Sequence, residues 1–135
     1  AGPWEGQAKR RERLRPFLSS DPERAAILTR WTEINPSLRV GGATWGFGRS
    51  FIRSARLVVE PQRLARIGAP VLIGSAGRDA FTKSGLHGIV AESIPTARVI
   101  TYPDAQHCLF LERDAIRGVW MEAVIALATT GRLPG

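Results

Sequence analysis

The chain has 135 residues, 44% of them hydrophobic and 23% charged, which is the composition of one globular domain and not of a disordered or fibrous segment. Its single cysteine, Cys108, excludes an internal disulfide framework, and two histidines beside it offer little for a structural zinc site. The net charge of +7 raises nucleic acid as a partner, but most of the excess sits in the first half, in the block Lys9, Arg10, Arg11, Arg13, Arg15 and in Arg49, Arg53, Arg56.

No run approaches the roughly 18 apolar residues that cross a bilayer, and no apolar stretch follows the N-terminal charges as in a signal peptide. The expectation is a soluble, cytoplasmic protein without metal or cofactor. Residues 1–18, with Gly2, Pro3, Gly6 and Pro16 around the basic block, read as an irregular lead-in. Ser20, Pro22 and Glu23 form a helix start, with Ser20 as the capping residue, and the helix runs to about Asn35, where Pro36 stops it. Ile27, Leu28, Trp31 and Ile34 share a face, so this helix should pack through its tryptophan side.

Thr44 is placed to cap a second helix, from about Trp45 to Val58. Phe47, Phe51, Ala55 and Val58 lie on one face of it and Arg49, Arg53 and Arg56 on another. Two readings stand: a solvated charged face on a packed helix, or a helix resting on an anionic lipid surface with its aromatics in the acyl boundary. After Pro61 the pattern changes to a strand over Pro70 to Ser75, a loop to about Lys83, a helix from Ser84 to Ile94 with Leu86, Ile89, Val90 and Ile94 inward, and a strand from Ala97 to Tyr102. That is a βαβ unit, hence parallel, with both strands expected to be buried. Ile116, Val119, Trp120, Ala123, Val124 and Leu127 then mark a final helix.

Each strand ends in a Gly- or Pro-containing turn followed by a titratable side chain, Asp79 after the first and His107 after the second. In open α/β sheets, sites form beyond the carboxyl ends of the strands, so the topology brings these two residues to one edge. A carboxylate beside an imidazole fixes its tautomer and stabilises its charged form, giving an acid–base pair that lacks only a nucleophile. The plainer reading is that Asp79 caps its own loop and His107 is a turn residue. Gly77 to Ser84 is also one residue short of a phosphate-binding loop, with Thr82 where the last glycine belongs and Asp79 where phosphate would sit. Cys108 reads as a small buried residue and His87 as exposed and idle.

The segments Ala69 to Asp79 and Ala105 to Arg117 resemble the C-terminal part of the α/β-hydrolase superfamily, the His-centred one being most similar to its lysophospholipase and monoacylglycerol-lipase branch. Ser20 to Arg24 and Gly42 to Gly46 resemble the helical cap of that branch. The resemblance implies an α/β fold in which residues 1–60 form a cap with a basic lead-in and residues 61–135 the last part of the core. It implies Asp79 as triad acid, His107 as general base, Trp45 and Phe47 as lining of the acyl channel, and a lipid-like acyl ester as substrate. The chain departs from the branch at Asp104, where a glycine is usual, and at Cys108, where an acidic residue is common. Asp104 therefore stays open as an alternative partner of His107.

The triad order of that fold puts the serine before the acid, on a Gly-x-Ser-x-Gly elbow, and no such pentapeptide occurs here. Ser75 is the nearest lookalike, but Ile73 replaces its first glycine and it lies in the strand that delivers the acid. The expectation is the C-terminal portion of a longer serine hydrolase, inactive alone and completed by a missing N-terminal core of the same protein. Peripheral membrane contact is a further expectation. The alternative is a non-catalytic basic module, or an inactive hydrolase homologue, contacting membrane or nucleic acid, nucleic acid being the less favoured partner.

Overall fold

The computed structural model describes residues 4–134. Its first element is a helix, Trp4–Leu14 (α1), in place of the irregular lead-in. Strong helix formers from Gln7 to Leu14 outweigh Gly6, a glycine costing about 1 kcal/mol, and Pro16 falls beyond the helix in a 3₁₀ turn, Arg15–Phe17. Gly2 and Pro3 lie outside the described residues. The helix expected from Pro22 to Asn35 is two pieces, Pro22–Ala25 (α2) and Ile27–Ile34 (α3). Its cap is Asp21, whose Oδ1 accepts from the N–H groups of Glu23 (3.0 Å) and Arg24 (3.1 Å). Ser20 lies one residue ahead of that cap, and its hydroxyl donates to Glu112, far along the chain.

The tryptophan side of α3 is not packed away: Ile34 is 80% exposed, Trp31 is also exposed, and Thr32 is the buried residue of that helix. Trp45–Val58 (α4) forms where the spacing predicts, with the Thr44 hydroxyl accepting from the Phe47 N–H at 3.1 Å. Phe47 stacks on Phe51 with ring centroids 6.1 Å apart, but no residue of α4 is buried. A single turn, Pro61–Leu64 (α5), buries Leu64 ahead of the sheet.

Val71–Ala76 (β1) and Ala97–Tyr102 (β2) pair in parallel, Val71 opposite Ala97 and Ala76 opposite Tyr102, with Gly85–Glu92 (α6) returning the chain between them. This is a mixed α/β architecture with a two-stranded sheet among the described residues. The strands are buried only toward their carboxyl ends, at Ser75, Ala76 and Tyr102. Parallel strands normally have both faces covered, and here α6 covers little: Leu86 and Ile89, expected inward, are exposed, and Ile94 beyond its end is buried.

The core lies between the strand ends and Asp114–Thr130 (α7). Ala76, Tyr102, Ala105, Leu109 and Trp120 form it, with Leu72, Ile100, Ile116, Met121 and Val124 packed around. Trp120 meets Tyr102 and Phe110 edge to face, at centroid distances of 6.2 and 5.9 Å. Gly74 is required by this packing, since a Cβ there would lie 2.9 Å from the Trp120 ring and closer still to Leu109. The left-handed Gly131 (φ 66°) closes α7, its N–H bonded to the Leu127 carbonyl. Among the described residues no helix is long and apolar enough to cross a membrane.

Candidate active site

Beyond β1 and β2 the ladder continues into the turns: the Gly77 N–H donates to the Tyr102 carbonyl and the Arg78 N–H to the Ala105 carbonyl, each at 2.9 Å. A Cβ on Gly77 would strike the Pro103 backbone, so only glycine lets the two turns lie this close. The residues that follow are thereby brought together. The Asp79 carboxylate lies 2.8 Å from His107 Nδ1. The Asp79 side chain is 4% exposed and that of His107 34%.

Asp79 also caps its own loop. Oδ1 accepts from the N–H groups of Phe81 (2.7 Å) and Thr82 (3.1 Å), and Oδ2 accepts from the Thr82 hydroxyl. Burial alone would raise the acid's pKa, but the bonds from Thr82, His107 and the Phe81 and Thr82 amides outweigh it and hold the carboxyl well below its usual range. Asp79 is therefore ionised at neutral pH and accepts only, so the proton of neutral His107 resides on Nδ1. Nε2 is left as the basic nitrogen, on a ring that keeps one side open.

Asp104 is not the partner: it pairs with Arg78 at 2.6 Å on the surface. The amides that a phosphate-binding loop would offer are occupied by the Asp79 carboxylate, which removes the basis for that reading. Ser75 is buried in β1 and its hydroxyl lies 2.9 Å from His87 Nδ1, so Ser75 faces the helix and not His107. His87 is thus half-buried and engaged, and not idle as its helix position suggested. Cys108 is half-buried, and its thiol is pushed up by burial and by the negative charges of Asp79 and Glu112, the opposite of an activated nucleophile.

Among the described residues, the hollows that Trp45 and Phe47 line do not include Asp79 or His107. Trp45 is 96% exposed and borders a surface groove with Ile52, Arg53 and Leu57, while Phe47 edges a separate hollow at Val40 to Thr44. The apolar wall beside the pair is supplied by Phe81, whose ring meets His107 edge on at 4.9 Å. Phe81 also borders an apolar hollow of about 510 Å³ formed with Leu14, Leu18, Leu28, Trp31 and Leu38. Phe81, Thr82 and Glu112 carry no pattern that singles them out in the sequence. The one available signal was the Asp-x-Phe-Thr spacing, which suits a carboxylate that bonds backbone two and three residues on.

Among the described residues no group of three or more His, Cys, Asp or Glu is arranged to hold a metal ion. No family model matches the chain, and no curated protein matches it.

Proposed function

We propose that this chain supplies the acid and base of a serine ester hydrolase, with the α/β-hydrolase fold of the lysophospholipase and monoacylglycerol-lipase kind. The observation that carries the reading is the Asp79–His107 bond through Nδ1, held at the carboxyl ends of two adjacent parallel strands. In that reading His107 Nε2 takes the proton of a serine contributed by an N-terminal core outside these residues. Asp79 keeps the ring in the required tautomer and balances the imidazolium that forms. Residues 1–60 serve as the cap, and a lipid-like acyl chain occupies the hollow between α1, α3 and Phe81, which is apolar and adjoins the base. The chain alone is inactive, because Ser75, its nearest lookalike, is bonded away from His107. Among the described residues β1 is hydrogen-bonded along one edge, to β2, and its other edge suits pairing with a further strand of that core.

A polypeptide extended upstream to include a Gly-x-Ser-x-Gly elbow should hydrolyse a monoacylglycerol or a short p-nitrophenyl ester, and the 135-residue chain should not. Loss of hydrolysis in His107→Ala of the extended polypeptide is the expected result. Equal turnover in that variant would sink the reading.

A second reading is a non-catalytic basic module on a membrane, and α4 favours it. Its Phe47, Phe51 and Val58 are exposed and run alongside Arg49, Arg53 and Arg56. In the hydrolase reading the same helix is a cytoplasmic, membrane-peripheral cap. Cosedimentation with anionic but not neutral vesicles, without any esterase activity in the extended polypeptide, would favour the module over the enzyme.

A further inference from the structure

Among the described residues Glu112 is the largest fully buried side chain, at 0% exposure, and it takes no part in the proton transfer described above. A carboxylate out of water is costly unless its lone pairs are filled, and here they are. Oε1 accepts from the Gln106 N–H at 2.7 Å and the Ser20 N–H at 3.1 Å. Oε2 accepts from the Ser20 hydroxyl and, at 3.3 Å, from the Arg113 N–H. All four donors are neutral, and two come from a segment some 90 residues away in the chain. Gln106 is the residue before His107.

The same two segments are joined on both sides of the carboxylate. The His107 N–H donates to the Phe17 carbonyl at 3.3 Å and the Cys108 N–H to the Leu18 carbonyl at 2.8 Å. The Ser19 hydroxyl donates to the Leu111 carbonyl at 2.6 Å, and Arg24 reaches the Glu112 carbonyl and, at 2.7 Å, Asp114. Segment 17–24 and loop 106–114 are therefore one unit, with the Glu112 carboxylate at its centre. Leu18 of that segment borders the apolar hollow, as does Arg15 just ahead of it.

We propose that Glu112 is a positioning residue for His107: its carboxylate fixes the loop that carries the base to the segment that walls the hollow, so the two move together. A carboxylate suits this place because all four neighbours are donors. A glutamine of equal size turns one acceptor into a donor and sets it against N–H groups. The proposal rests on the Asp79–His107 pair of the preceding section but not on ester chemistry, so a failed hydrolysis assay leaves its test intact.

The chain contains only two histidines, so nitrogen-labelled imidazole spectra of the 135-residue protein report His107 with His87 as internal reference. In Glu112→Gln, solvent exchange of the His107 Nδ1 proton should quicken about tenfold, as the loss of a hydrogen bond to a charged group implies, with His87 unchanged. Ser20→Ala, which removes one donor at the far segment, should move His107 in the same direction, and Ser20→Thr should restore it. A His107 signal untouched by Ser20→Ala in a folded protein overturns the proposal. So does loss of the fold in both Glu112→Gln and Ser20→Ala, which would make the carboxylate a stability element only.

Discussion

The two ends of the molecule use apolar residues in opposite ways. Around α7, Trp120, Tyr102 and Leu109 interlock, and the turns they support hold Asp79 and His107 through a continuous set of hydrogen bonds. In α4, Phe47, Phe51, Ile52 and Val58 are as apolar and as well spaced, yet all are exposed. Periodicity alone thus establishes that a helix forms and which residues share its side; whether that side is buried depends on what lies opposite. The fixed end holds the Asp79–His107 pair, and the open end leaves its apolar side chains exposed.

This contrast is sharpened most by Asp79→Asn in the extended polypeptide. An amide in place of the carboxylate stabilises the wrong imidazole tautomer, and kcat should fall by about 10⁴-fold, the scale seen when a triad acid becomes an amide. Steady-state kinetics on a soluble ester measures it. The next effect concerns stability. Trp120→Ala should cost about 3–5 kcal/mol in a denaturant titration, the usual range for emptying a buried aromatic site. Phe51→Ala in α4 should stay within about 0.5 kcal/mol, as for a surface change. Equal losses at the two positions would erase the distinction between the ends.

Smaller is Gly77→Ala. The added methyl meets the Pro103 backbone, and a destabilisation of about 1–3 kcal/mol is expected, in the range of overpacking. Its exchange spectra should also show a loosened Asp79–His107 bond. The smallest effect is on the acid limb of stability. Because the Asp79 pKa in the fold lies below its ordinary 3.8, its ionised form contributes stability that is complete above that pH and is lost as pH falls further. Asp79→Asn should flatten the decline of the melting temperature below about pH 4 and leave its shape near neutrality unchanged.

Much of the fixed end was legible in residue order. Short apolar runs before Gly77 and Pro103 give the strands, β2 matches its expected bounds, and the Asp and His fall where a βαβ unit must bring them together. The choice between Asp79 and Asp104 was not legible, because it turns on Arg78, which draws Asp104 to the surface. Nor were the cap of α2, the engagement of His87 or the burial of Glu112. Each depends on a partner remote in sequence: Ser20 is claimed by Glu112, and His87 by Ser75. The tryptophan side of α3 failed as a burial signal for the reason α4 did. An amphipathic pattern describes one surface and says nothing of the second.

In the proposed function His107, oriented by Asp79, is the base for a serine lying outside these residues. Fluorophosphonate labelling, read by peptide mapping on the extended polypeptide beside the 135-residue chain, tests it most directly. Label is expected on one serine upstream of residue 1, abolished by His107→Ala, and none on the 135-residue chain. Label on Ser75 or any other serine within it, or full labelling in His107→Ala, would rule out that role for His107.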